Sequence, residues 1–133
     1  RLLSRGLGDV YKRQLIVGAI MAATSVGFGA FGAHGLKLKV SPEDLVIFEV
    51  GVRYQMYHSI SIIVLGLSGY FLPHNIIQTA AILMLSGTFI FSGSLYMLVL
   101  TNYRWLGAIT PFGGMLLIIG WLLFAYNVYH FSS

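Results

Sequence analysis

Cysteine is absent from all 133 residues, so neither a disulfide nor a thiolate metal site can form, and the redox compartment leaves no trace in the composition. Charge is nearly as scarce. Asp, Glu, Lys and Arg make up 9% of the chain, against roughly 25% in an ordinary soluble domain, too few to cover a soluble fold of this size. Residues 14–36, 54–103 and 105–133 contain none of the four. What fills those stretches is apolar, 57% of the whole chain being hydrophobic. A bilayer core asks for about 20 consecutive apolar residues per helix, so the three stretches hold one, two and one spans. The sequence therefore predicts an all-α fold, an integral membrane bundle of four transmembrane helices. The net charge of +4 comes from a few scattered basic residues flanking apolar spans. Membrane flanking accounts for them, and no nucleic-acid partner is expected.

The first fourteen residues, Arg1 to Gln14, stand apart. They lack a start Met and an apolar helical face, and they hold four of the eight basic residues, Arg1, Arg5, Lys12 and Arg13. The string Ser4 to Gln14 resembles translated sequencing-adapter read-through, so residues 1–14 are expected to be non-native or disordered and are set aside from fold and charge reasoning. The rival reading is the n-region of a signal peptide. Against it, the apolar segment that follows exceeds the usual 7 to 15 residues, and Phe31, Gly32 and Ala33 form a poor cleavage site.

Residues 15–133 read as one domain, with helices over about 15–35, 42–72, 76–100 and 105–130. The first is crowded with small residues, which in lipid let backbones approach and gain dispersion contacts. The second has a legible start, Ser41 as N-cap, Pro42 in the first helical position and Glu43 and Asp44 in the first turn. Its end is marked by Pro73, His74 and Asn75. The fourth begins either at Trp105 or afresh at Thr110 as N-cap with Pro111 behind it, which leaves Tyr103 to Ile109 as an interfacial segment. Gly27, Gly29, Gly32, Gly93, Gly113 and Gly114 are the expected packing glycines.

On this map the polar residues His34, Arg53, Gln55, His58, Ser92, Ser94 and Thr110 all fall toward the side of the membrane that carries the first and third loops. They form the candidate polar cluster, a hydrogen-bonded pocket opening to one compartment if the helices bundle. Each also has a plainer reading. Arg53 follows Glu49 by four residues, the spacing of an ion pair on a helix. His34, beside Gly35 at a helix end, can cap carbonyls. Ser and Gln inside a bundle commonly bond a neighbouring helix, and His58 stands out because an ionisable residue within a membrane is a functional-site hypothesis by default.

Reaction signatures are missing. There is no His-Glu-x-x-His pair, no phosphate-cradling loop with a Lys, and no Gly-x-Ser-x-Gly elbow. Gly27, Gly29 and Gly32 spell part of a dinucleotide fingerprint but sit inside an apolar span, where packing explains them. His34 and His58 would need further ligands to hold a metal. No catalytic residue, metal or cofactor is assigned, and the chain is not expected to be an enzyme.

Four blocks carry a resemblance: Gly29 to Leu36, Arg53 to His58, Phe91 to Tyr96, and Trp105 to Gly114. In order and spacing they resemble the signature blocks of the domain-of-unknown-function family numbered 423, the likeness extending from Leu15 to Tyr129. That family comprises small multi-pass membrane proteins, chiefly bacterial, with no established activity, so the resemblance implies the membrane class and no mechanism. The chain departs from the family pattern in its first fourteen residues and in its short end, Phe131 to Ser133, which lacks a basic tail.

With residues 1–14 set aside, Lys37, Lys39 and Arg104 lie in the first and third loops, with Arg53 at the boundary, and the other side holds no basic residue. The positive-inside rule then puts those loops in the cytoplasm of a bacterial inner (plasma) membrane; a basic native terminus would reverse the order. The leading functional expectation is a structural or interaction role in that membrane, with the lipid bilayer and a homo-oligomer or membrane-protein partner around it. The alternative is binding or transport of a small polar or anionic solute through the one-sided pocket, in an oligomer because four helices make a thin wall.

Overall fold

The computed structural model describes residues 2–131, and side chains from residue 8 onward. Four long helices follow one another, α1 (Leu2–His34), α2 (Pro42–Ser68), α3 (His74–Thr101) and α4 (Thr110–His130), with short 3-10 turns at Leu36–Leu38 and Arg104–Ala108. Their ends follow local chemistry. Ser41 accepts a hydrogen bond from the Asp44 amide at 3.1 Å, and Pro42 occupies the first turn of α2. α3 stops at Asn102, whose left-handed φ of 61° lets its amide bond back to the Leu98 carbonyl. α4 starts afresh behind the interfacial turn, as the second of the two sequence readings has it. Thr110, however, is the first helical residue and Ile109 the cap.

Two boundaries differ from the sequence reading. α2 ends at Ser68, and residues 69–73 form the turn to α3, so α2 has 27 residues. The stretch from residue 2 to 14, expected to stand outside the fold, continues α1 without a break. Nothing there stops a helix, since the first proline is Pro42. Tyr11 is buried, its ring against Gly69 and Tyr70 and its hydroxyl 3.3 Å from His74 Nδ1. Helicity does not bear on the adapter resemblance, which concerns the residue string. Arg1, Ser132 and Ser133 lie outside the described residues.

Neighbours in sequence are neighbours in space. α1 packs on α2, α2 on α3 and α3 on α4, and no other pair of long helices forms an extensive interface among the described residues. The helices thus form an open array rather than a closed bundle, with α1 and α4 each having one principal neighbour. Three helical stretches are long and apolar enough to cross a membrane, Gly8–Leu38, His74–Thr101 and Arg104–His130. α2 is long enough, about 40 Å at 1.5 Å per residue, but Glu49, Arg53, Gln55 and His58 lower its apolar character.

The array is assembled on small residues. Buried positions of α1 recur every seventh residue, at Tyr11, Gly18, Ser25 and Gly32, the repeat of a helix that keeps one seam against a partner. A methyl group at Gly18 would lie 3.0 Å from the Ser59 carbonyl oxygen, and one at Gly32 3.2 Å from the Phe48 ring. The tightest crossing joins α3 and α4. A methyl at Gly113 would press on the Phe91 amide nitrogen and come within 2.9 Å of the Gly87 carbonyl, while one at Gly87 would meet the Gly113 carbonyl at 2.9 Å. Gly113, Leu117 and Gly120 are the buried face of α4.

Of the expected packing glycines, Gly32 and Gly113 therefore mark close approaches. Gly29 and Gly114 have ordinary contacts, at 3.5 Å to Val52 and 3.7 Å to Phe91. Gly27 and Gly93 are corrections, because nothing lies within 4 Å of a side chain built on either. Gly27 sits two residues past Ser25, about 200° around the helix and off the seam.

Gly113→Ala is expected to lower stability by about 1 to 3 kcal/mol, because the methyl meets backbone that cannot turn aside. Gly27→Ala is expected to be neutral or stabilising by up to about 1 kcal/mol through helix propensity. Thermal unfolding in detergent micelles measures both.

Candidate functional site

Gln55 is the hub of the polar side chains. Its carboxamide nitrogen lies 2.8 Å from the Met21 carbonyl oxygen and 2.8 Å from Thr24 Oγ1. A carbonyl can only accept, so the nitrogen faces α1 and the carboxamide oxygen faces α3. There Tyr96 donates its hydroxyl proton to Gln55 Oε1 at 2.6 Å. Thr24 in turn donates to the Met21 carbonyl at 3.0 Å. One buried side chain on α2 thereby links α1 and α3, which have no extensive interface of their own. Around it Ser25 donates to the Val52 carbonyl at 2.8 Å and Ser92 to the Gly51 carbonyl at 2.7 Å.

His58 belongs to a different seam. Its Nδ1 lies 2.8 Å from the Tyr54 carbonyl oxygen, and Trp121 Nε1 lies 3.1 Å from its Nε2. An indole N–H can only donate, and the carbonyl can only accept. Nδ1 therefore carries the proton, Nε2 offers its lone pair, and this arrangement holds one neutral tautomer. The bond joins α2 to α4 across α3, on the side where Tyr54 stacks on Phe91 with ring centroids 4.7 Å apart. Ser94 and Thr110 form a third seam, their hydroxyl oxygens 2.5 Å apart between α3 and α4.

The candidate cluster is thus distributed rather than pooled. Gln55 and Ser92 serve the α1, α2 and α3 side, His58 faces α4, and Ser94 meets Thr110. Arg53 and His34 are exposed and make no side-chain hydrogen bond among the described residues. The Glu49 to Arg53 ion pair does not form. The ion pair that does form joins Arg104 to Asp44 by two parallel bonds of 2.9 and 2.7 Å. It ties the turn before α4 to the first turn of α2, with the fork geometry of a two-bond Arg–carboxylate pair, whereas a single exposed pair along one helix gains little against solvent. Hydrogen bonding to Arg104 holds the Asp44 carboxyl, at the loop end of α2, below the usual carboxylate range.

Every buried side-chain nitrogen or oxygen among the described residues has a partner. Sequence reasoning missed Tyr96, Thr24, Trp121 and Asp44 as the partners that complete these networks. Tyr96 was within reach, since it closes the Phe91 to Tyr96 block, but its mate lies 41 residues away and no spacing rule connects them. No three His, Asp or Glu side chains stand close enough to hold a metal ion among the described residues. The Gln55 network floors a cavity of about 350 Å³ lined by α1, α2 and α3.

The family model described as protein of unknown function DUF423 matches residues 28–114, a segment that holds Gln55, His58, Tyr96 and the Asp44 to Arg104 bridge. The chain belongs to that family. Its relatives include the UPF0382 membrane proteins of Staphylococcus haemolyticus, 45% identical over 117 residues covering 88% of this chain and 95% of the relative, and of Staphylococcus epidermidis, 47% identical over 119 residues covering 90% and 97%. The UPF0382 membrane protein YwdK of Bacillus subtilis is 45% identical over 114 residues, covering 82% of this chain and 89% of YwdK. No solved structure matches the chain. Membership in DUF423 and the three apolar helices agree on a multi-pass membrane protein of an uncharacterised bacterial family, and the relatives' names carry no activity.

Because the folded state holds Asp44 below its unfolded value near 4, the bridge stabilises the protein above that pH and its contribution fades as pH falls below it. Thermal unfolding is expected to place wild type above Asp44→Asn at pH 7. The gap should close as pH drops below about 4, and shrink in high salt because Arg104 is half exposed.

Proposed function

We propose that the protein is a four-span structural component of the bacterial cell membrane, a packing module that offers its outer helices to a second copy or to another membrane protein. The observation that carries this reading is the spending of its buried polar groups. Gln55, His58, Ser92 and Ser94 each join one helix to another or to their own backbone, and the outer helices keep wide apolar faces. Along α4 these include Phe112, Met115, Ile118 and Leu122.

α2 serves as the fourth span. It lies between α1 and α3, it is within one residue of α3 in length, and Gln55 and His58 turn inward to partners, so lipid meets Val46, Ile60, Val64 and Leu67 instead. Arg53 lies about two and a half turns from the Asp44 bridge and reaches the interface along its own stem. With residues 1–14 set aside on the adapter resemblance, Lys37, Lys39 and Arg104 favour the first and third loops in the cytoplasm.

The absence of cysteine makes topology directly readable. Single cysteines replacing Lys39 and Tyr70 are expected to react with an impermeant maleimide from opposite sides of the membrane. Reaction of both from one side would remove the fourth span.

Function is expected to follow assembly. In a strain lacking the native gene, variants Gln55→Ala, His58→Gln, Trp121→Phe and Arg53→Ala should rank in complementation as they rank in thermal stability, with Gln55→Ala lowest and Arg53→Ala near wild type. Removing one partner of a buried bond costs about 1 to 3 kcal/mol. A His58→Gln protein that assembles like wild type yet fails to complement would sink the structural reading.

A further inference from the structure

The cavity above the Gln55 network has a chemistry of its own. It lies between α1 and α3, with Gln55, Thr24, Thr88, Ser92 and Tyr96 among its lining residues and a volume of about 350 Å³, within the range of small-molecule sites. Its rim is formed by Ile20, Phe28 and Phe89, all of them exposed on the outer surface of the helices. Entry is therefore sideways, from the surroundings that bathe the outer faces of α1 and α3, and not from the loops.

The hydrogen-bond accounting of the lining is one-sided. Gln55 spends both N–H protons, on Met21 and Thr24. Thr24 donates to the Met21 carbonyl, Tyr96 to Gln55 Oε1, Ser92 to the Gly51 carbonyl and Thr88 to the Met84 carbonyl. Every side-chain donor in the lining is committed. What remains are lone pairs, on the Tyr96 hydroxyl oxygen, the carboxamide oxygen and the Thr88 and Ser92 hydroxyls. The wall is almost wholly apolar apart from a small acceptor patch at the Gln55 end; a carboxylate or phosphate would bring charge and only acceptors to it, whereas a hydroxyl would bring the missing donor.

Gly93 points the same way. It lines the cavity, sits inside α3, and has nothing within 4 Å of where a side chain would begin. A glycine within a helix weakens it, and at Gly18, Gly87 and Gly113 a close backbone approach gives the reason. At Gly93 there is no such approach. Its structural effect is to leave the cavity open.

We propose that this cavity is a binding site for the hydroxyl end of a membrane-borne amphiphile, an uncharged long-chain alcohol whose apolar body enters between Ile20, Phe28 and Phe89 while its O–H donates to the lone pairs of Tyr96 and Gln55. The site takes the alcohol class and rejects anionic headgroups. It is independent of the assembly role, since it uses lone pairs that no helix contact consumes.

The test uses the full chain in lipid nanodiscs and three photoreactive probes of equal chain length bearing a diazirine, ending in a hydroxyl, a methyl ether or a carboxylate. Cross-linked peptides are mapped by mass spectrometry, with unlabelled dodecanol as competitor. The hydroxyl probe is expected to label the Ile20 to Phe28 and Thr88 to Tyr96 segments saturably. Dodecanol should compete it away, and the ether and carboxylate should require about ten-fold higher concentration, the factor for one hydrogen bond that fails to form. Gly93→Leu, whose Cβ would meet nothing within 4 Å and whose branch enters the cavity, should abolish this labelling, and Gly27→Leu, which adds the same bulk where the Cβ is equally free, should preserve it. Equal labelling by the three probes, labelling spread evenly over the outer faces of α1 and α4, labelling that survives Gly93→Leu, or no saturable labelling, as a cavity filled by water would give, each overturns the proposal. The probe series is read on the wild-type chain alone, so it stands even if Gly93→Leu fails to fold.

Discussion

In a bilayer the apolar drive that builds a soluble core is missing, because lipid tails are as apolar as leucine. What remains strongly directional is the need to satisfy each polar group that enters. Gln55 is where this constraint acts hardest. Its carboxamide has two donors and an acceptor to place, and it places them on two helices, Met21 and Thr24 of α1 and Tyr96 of α3. The fixed direction of a carboxamide, nitrogen one way and oxygen the other, sets the rotation of α2 between its neighbours. Ser25 and Ser92 then bond the backbone of α2 from either side, and the three helices are held in one register by groups that would each be costly if released.

The seam between α3 and α4 works by a different principle. Gly87 and Gly113 bring the two backbones together, and the side chains around them interlock at short range. Ser94 bonds Thr110 across this seam near the loop, and deeper in Trp121 of α4 reaches past α3 to His58 of α2. A directional seam and a close-packed seam thus meet in α3, which explains why that helix is the most enclosed of the apolar ones. The Asp44 to Arg104 bridge closes the loop end by tying the beginning of α2 to the turn before α4, so the open array is pinned where its helices would otherwise splay.

Much of the fold was legible because its signals are local. The length of uncharged runs counted the helices, Ser41 and Pro42 marked one start, and Thr110 and Pro111 marked another within a residue. The faces were not legible. In a soluble helix polar residues mark the outside, but here lipid-facing Ile118 and buried Leu117 are both apolar, and the pattern cannot separate them. Glycine misled for the same reason, since Gly27 faces open space and Gly32 packs against a ring, with only the seven-residue seam through Gly18, Ser25 and Gly32 to distinguish them. The polar cluster, expected as one pocket, is spread over three seams, with His58 deeper than Ser94 and Thr110. Depth along a helix can be counted from sequence; angle around it depends on a partner elsewhere in the chain.

That separation of the polar residues changes what kind of site this chain can offer. A pool of His34, Arg53 and His58 would have met a polar or anionic solute from the aqueous side. The arrangement instead leaves His34 and Arg53 exposed and consumes both ring nitrogens of His58 within the protein. Lone pairs above Gln55 remain beside a cavity whose mouth lies among outward-facing apolar side chains. Gln55 fixes the helices through both its carboxamide protons and the bond its oxygen accepts from Tyr96, and the proposed alcohol site would use the second lone pair of that oxygen beside the space that Gly93 leaves open.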